Sequence, residues 1–224
     1  MKPIPKISPV HRWMIPALVC AVLLFAALAM AKKHRRPSKP KFDYYVLSLS
    51  WAPTFCNEHP GDTSRECRIG GHTAFVLHGL WPQADNGPPP LSCAPPSQVD
   101  ATIVDHMLQY FPNHSLVQHE WTKHGTCTKL SMQDYFDKVE QAFKAVQLPT
   151  EQQNLDHAQK FDVQHLEESF ATANNAPEDA FRVACRGNDL VGVDICLDKD
   201  LHYRECSASV RECAASQVLV RPPR

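Results

Sequence analysis

Two segments of this 224-residue chain hold more reactive side chains than packing alone requires. One is Phe75-Val76-Leu77-His78-Gly79-Leu80-Trp81-Pro82-Gln83. The other is His119-Glu120-Trp121-Thr122-Lys123-His124-Gly125-Thr126-Cys127. Wound as a helix at about 100° per residue, the second places Lys123 at about 40°, Glu120 at about 100° and His124 at about 140° from His119. Four ionisable groups then share one arc, while Trp121 and Thr122 face away. Two imidazoles, a carboxyl and an ammonium so arranged suit proton transfer and the stabilisation of developing negative charge. The competing reading is a solvated helix face. Of its i,i+4 pairs, His119/Lys123 and Glu120/His124, only the second is attractive. A zinc site of the HExxH kind does not fit, because histidines five apart diverge by about 140° on a regular helix where that motif needs about 40°.

His78 sits in an apolar run, where a lone histidine is usually a hydrogen-bonded core residue. Its neighbours change that reading. Gly79 permits close backbone approach, and Trp81 at a strand end can stack on a nucleobase. Strict alternation would set His78 and Trp81 on opposite faces. The strand must therefore twist, bulge or end near Gly79 if both are to serve one site.

The elements that must position these groups read as strand, helices, then strands. Phe42–Trp51 and Thr73–Trp81 read as strands, the first stopping before Pro53. Residues 56–72 read as a cysteine-closed loop, and Ala84–Pro96 as a proline-rich one. Apolar spacing predicts helices over Asp100–Phe111, Val117–Gly125, around Leu155 and over Asp162–Thr172. Ser131-Met132-Gln133-Asp134 resembles a capping box opening a helix to about Val146. Phe181–Cys185, Leu190–Leu197 and, more weakly, Leu201–Cys206 return to strand. The order implies an α+β fold with a central, mostly antiparallel sheet packed with several helices. No period suggests a repeat architecture.

Charge is unevenly placed. Residues 1–40 carry eight Lys/Arg and no acid, whereas from Lys41 onward 15 Lys/Arg face 24 Asp/Glu, a net of −9. Such a body gains little from a polyanion at neutral pH. Protonation of histidines below about pH 6 would offset much of the deficit, so action on RNA would favour acid. At the N-terminus, Lys2, Lys6 and Arg12 precede an apolar stretch from Trp13 to Ala31 ending in Ala29-Met30-Ala31. This reads as an export signal over 1–31 or as an uncleaved membrane anchor through 13–31. Residues 32–40 read as a basic tether, and 41–224 as the folded domain. Cys20 lies in the apolar stretch. The remaining eight cysteines, with no CxxC pair among them, read as up to four disulfides in an exported body, with about 105 pairings open.

HGLWPQ followed by HEWTKHGTC resembles the two active-site segments of the ribonuclease T2 family, the exported acid endoribonucleases, and Tyr45–Cys56 is similar to that family's opening strand. The resemblance covers most of the body. It implies a disulfide-stapled fold with Cys56–Cys67, Cys93–Cys127, Cys185–Cys213 and Cys196–Cys206 paired. It also implies His78 and His124 as the acid/base pair, His119 on the scissile phosphate, Glu120 and Lys123 supporting the transition state, Trp81 stacking on a base and Gln83 at its edge. No metal or cofactor is implied. RNA is the expected partner, DNA is expected to resist cleavage for want of a 2′-OH, and the protein is expected to be secreted or periplasmic and monomeric. Glu120 beside His124 is expected to raise that histidine's proton affinity.

Two other classes compete: an exported RNA-binding protein that acts without cleavage, and a purely structural disulfide module. Neither needs three histidines, Glu120 and Lys123 gathered in two segments. Asn113-His114-Ser115 is a glycosylation sequon. Asp194, Asp198 and Asp200 read as a solvated strand edge more than as a calcium site, and His157, His165 and His202 read as surface residues.

Overall fold

The computed structural model describes residues 41–224. The expected leader over 1–31 and tether over 32–40 lie outside the described residues. Among those described, no helix is long and apolar enough to cross a membrane.

The first strand, β1 (Tyr44–Trp51), shows how one alternating sequence builds two faces. Tyr45, Leu47, Leu49 and Trp51 enter the main core. Tyr44 and Val46 turn the other way into a smaller cluster with Cys196, Cys206 and Val210. Ser48 and Ser50, at the same parity, are left facing that second side. A one-residue slip would exchange the faces, so burial fixes the register.

Strand β2 (Phe75–Gln83) pairs antiparallel with β1, and β1 pairs antiparallel with β5 (Asp189–Leu197). Strand β4 (Phe181–Arg186) lies antiparallel on β5. Two four-residue strands complete the sheet. They are β3 (Gln159–Asp162) and β6 (Gln217–Val220), antiparallel to each other, with β6 joined to β5 in parallel through Asp189 and Leu219. The sheet is thus mixed but mostly antiparallel, in the order β2-β1-β5-β6-β3 with β4 also on β5.

Among the described residues six helices accompany it: α1 (Ala52–Glu58), α2 (Ala101–Met107), α3 (His114–Lys123), α4 (Met132–Ala145), α5 (Thr150–Gln153) and α6 (Val163–Asn174). Ile103 and Met107 of α2, Trp121 of α3, Tyr135 and Phe136 of α4, and Phe170 of α6 fill the main core against the sheet. Tyr135 also donates to the Leu80 carbonyl at 3.0 Å, which ties α4 to β2 within the first reactive segment. Ser131 caps α4 by accepting from the Asp134 N–H.

Four expectations about elements need correction. The first strand does stop before Pro53, but Pro53 then opens helix α1, which takes in the first residues of the loop read over 56–72, since proline lacks only an N–H that the first turn leaves unpaired. The helical pattern near Leu155 reduces to the single turn of α5. Strands β3 and β6, four residues each, were not foreseen. Leu201–Cys206 contributes only the bridge between Leu197 and Tyr203.

Disulfides join Cys56 to Cys67, Cys93 to Cys127, Cys185 to Cys213 and Cys196 to Cys206. The second ties the proline-rich loop to the turn that follows α3.

Candidate active site

A bulge in β2 assembles the site. The pairing of β1 with β2 runs from Ser48 opposite Gly79 to Leu49 opposite Leu77, so His78 is an extra residue without a partner. The bulge changes parity. Before it, Phe75 and Leu77 face the core; after it, Leu80 does. Gly79, Trp81 and Gln83 thereby turn toward the side that His78 already faces. The His78 and Trp81 rings lie 5.5 Å apart, edge to face.

Helix α3 supplies the second segment. Asn113 caps it by accepting from the Leu116 N–H at 2.9 Å. Trp121 anchors it in the core, and Glu120, on the neighbouring side, is fully buried. The helix ends at Lys123. His124 follows with φ −116° and ψ −51° and leads into a 3-10 turn over Gly125–Cys127. A Cβ at Gly125 would lie 2.4 Å from the Trp121 ring and 2.8 Å from Tyr135, so only glycine lets the chain turn so close to the core. Because His124 has left the regular helix, the 140° divergence from His119 does not apply, and the two rings stand 6.3 Å apart.

Glu120 reaches under β2. Its Oε2 accepts the Trp81 Nε1–H at 2.9 Å, and Oε1 has no partner. The space it fills is the one a side chain at position 79 would need: a Cβ there would lie 1.9 Å from Oε2. Burial pushes this carboxyl up to about 8, offset only in part by the Trp81 hydrogen bond and by Lys123. Glu120 is therefore held by Trp81 and kept neutral at acid pH. This corrects the expectation that it raises the proton affinity of His124. Burial, with Lys123, His119 and His78 nearby, instead pushes His124 down to about 3.

His78 bonds through Nδ1 to Ser50 Oγ at 2.9 Å, which fixes the ring and leaves Nε2 for a ligand. Burial, then His119 and Lys123, push it down to about 4. His119 is exposed, and partial burial and Lys123 lower its pKa. Trp81 lies against His124, with ring centroids 5.3 Å apart and planes at 24°. One indole face and the N–H are thus engaged.

His78, Trp81, Gln83, His119, Glu120, Lys123 and His124 all line one cleft of about 400 Å³. A second hollow of about 410 Å³ lies beyond His78 and His119, with Ser50, Asn113 and Leu116 in its wall. Ligand atoms of His119, Glu120 and His124 come within 4.8 Å of one another, so these three could hold a metal ion.

Sequence reasoning overlooked Ser50, although polar residues alternating through a buried strand mark a face turned from the core. It also misplaced Asp194, which is no strand edge. Strand β5 lies between β1 and β4, and Asp194, opposite Ser48, lines the cleft floor. Burial raises it to about 6 against a hydrogen bond from Ser48. Pro89 and Leu91 of the proline-rich loop form another wall, and Ser209, Val210 and Arg211 reach the cleft from near the C-terminus. Asp198 and Asp200 form a surface turn in which Asp198 accepts two backbone N–H groups. His157, His165 and His202 are exposed.

Fold and cleft together define a disulfide-stapled α+β protein with an imidazole-rich site between a bulged strand and a helix end. Residues 42–206 match the Ribonuclease T2 family, and the chain belongs to that family. It is 33% identical over 186 residues to a probable ribonuclease of Haemophilus influenzae, covering 76% of this chain and 63% of that protein. It is 41% identical over 95 residues to a ribonuclease of Aeromonas hydrophila, covering 42% of each. The chain thus spans less than two thirds of the length of these relatives. Among solved structures, an RNase-related protein from Calystegia sepium superposes with a TM-score of 0.67 at 25% identity, covering 83% of this chain and all of the other.

Proposed function

We propose that this protein is an endoribonuclease that cleaves single-stranded RNA by transphosphorylation to a 2′,3′-cyclic phosphate, followed by slower hydrolysis to a 3′-phosphate. The observation that carries this reading is the β2 bulge, which turns Trp81 and Gln83 to the side His78 already faces, into the cleft shared by His119, Glu120, Lys123 and His124.

RNA supplies its own nucleophile. Neutral His124 takes the 2′-OH proton, the 2′-oxygen bonds to phosphorus, and the bond from phosphorus to the 5′-oxygen breaks. The His78 imidazolium protonates the departing 5′-oxygen while its Nδ1–H donates to Ser50. The Ser50 hydrogen bond at Nδ1 leaves Nε2 of His78 for the departing oxygen, which favours His78 as the proton carrier and His124 as the base. In hydrolysis the roles reverse, with water as nucleophile. Lys123 sets fixed positive charge where the phosphorane gathers negative charge, His119 contacts the phosphate, and Glu120 braces Trp81. The base 5′ of the scissile bond packs on Trp81 beside Gln83. DNA, lacking the 2′-OH, is not cut. Residues 41–224 form the catalytic domain of a monomer exported by the leader over 1–31, or held by it as an anchor, and four disulfides fit an oxidising compartment.

The test is digestion of a single-stranded RNA and its DNA counterpart by the oxidised full chain in excess EDTA. Fragments with 2′,3′-cyclic ends from RNA alone are expected. Activity abolished by EDTA would instead indicate a metal on His119, Glu120 and His124, and intact RNA would overturn the reading.

A further inference from the structure

The six residues from Ser207 to Glu212 lie beyond the family match, which ends at residue 206, yet Ser209, Val210 and Arg211 among them line the cleft. Several contacts hold them. Disulfides pin both flanks, Cys206 to Cys196 on β5 and Cys213 to Cys185 on β4. Ser207 shares hydrogen bonds of 2.7 Å with the Tyr44 hydroxyl and with Ser209. The Val210 N–H closes a turn on the Ser207 carbonyl at 3.0 Å. Its side chain is buried in the cluster against which Trp81 packs. Glu212 pairs with Arg182 at 3.5 Å. Arg211 alone among the charged residues of this loop makes no ion pair among the described residues, and it stands exposed at the cleft mouth.

Arg65, Arg68 and Arg224 also lack an ion pair among the described residues, but of these four only Arg211 lines the cleft. It follows Val210, which is buried in the cluster that supports Trp81, and it lines a cleft whose only other lysine or arginine among the described residues is Lys123. We propose that Arg211 is a backbone-phosphate subsite. It grips the phosphodiester next along the strand from the scissile one, on the side of the base that packs on Trp81. This rests on the cleft taking a nucleic-acid strand as substrate, and it makes the loop a device for holding oligomers in preference to dinucleotides. Arginine suits the task because its planar fork can meet two phosphate oxygens at once.

The test compares wild type, R211A, R211K and R211E in binding a fluorescein-labelled decathymidylate, which the proposed chemistry cannot cleave. R211A is expected to bind about threefold to tenfold more weakly at low salt, and its salt slope to fall by about 0.7, the value for one phosphate contact on a single strand. R211K, which keeps the charge without the fork, should recover only part of the affinity that R211A loses, and R211E should lose more than R211A. In cleavage, the rise in KM for R211A should be larger on decauridylate than on CpU, which has a single phosphate. Equal affinities and slopes across the variants would overturn the subsite, as would equal losses on both substrates. If wild type cleaves neither RNA, the ribonuclease reading falls, while the decathymidylate comparison still decides the fate of the phosphate site.

Discussion

Proton transfer by an imidazole pair needs one neutral and one charged ring, and burial makes the charged ring the scarce species here. His78 lies near 4 and His124 near 3. Above the first value the proposed acid is lost, and below the second the proposed base is lost. In the free protein the productive state is therefore confined to acid, and kcat/KM, which reports the free protein, should peak below pH 5. A bound phosphodiester favours the imidazolium, so kcat should peak at a higher pH. Profiles on a dinucleoside monophosphate check this, and a kcat/KM optimum at pH 6.5 or above would contradict it. Glu120 carries a second pH signature. Its carboxyl is raised to about 8 folded against an ordinary 4.5, so the unfolded chain releases the proton first. The resulting stability is complete below pH 4.5 and is lost as pH rises through about 8. E120Q keeps an acceptor for the Trp81 N–H and removes the titration. Urea unfolding at pH 5 and 9 should show wild type losing stability relative to E120Q, on the order of a few kcal/mol. Parallel losses in both proteins would refute the buried carboxyl.

At the scale of elements, the site is a strand defect facing a helix end. The bulge at His78 flips the parity of β2, and Gly79 leaves the room that Glu120 fills. G79A forces the carboxyl and the Trp81 indole to move. It should cost about 1–3 kcal/mol in urea unfolding and depress activity far more than an alanine on an exposed strand position would. A fully active G79A would show that Glu120 is not seated behind the strand. Much of this was legible. The clash between alternation and shared function at His78 and Trp81 demanded a bulge, twist or end, and Ser131 to Asp134 marked the start of α4. The departure of His124 from the helix was not legible, because Gly125 and the packing of Trp121 on Tyr135 decide it through tertiary contact. Nor was the central position of Asp194, since strand order depends on partners far away in sequence.

For the molecule as a whole, the order strand, helices, strands was enough to indicate an α+β fold. Strands β3 and β6 escaped because four residues carry too little periodicity to distinguish them from loop. The disulfides bind distant parts of the chain to the cleft, and the Cys93–Cys127 bridge holds the proline-rich wall against the end of α3 across 34 positions. Replacing both cysteines by serine should cost about 4 kcal/mol by loop entropy. It should also raise KM as the Pro89 and Leu91 wall loosens, read from urea unfolding and steady-state kinetics. An unchanged midpoint would contradict the loop-entropy argument. The assignment of His78 as acid and His124 as base is tested by the leaving group. On an RNA dinucleotide whose 5′-oxygen is replaced by sulfur, departure needs no proton. H78A should lose about 10²–10⁴-fold on the oxygen substrate and recover most of that on the sulfur one, whereas H124A should lose about as much on both. Rescue of H124A in place of H78A, or full activity of either variant on the natural substrate, would contradict it.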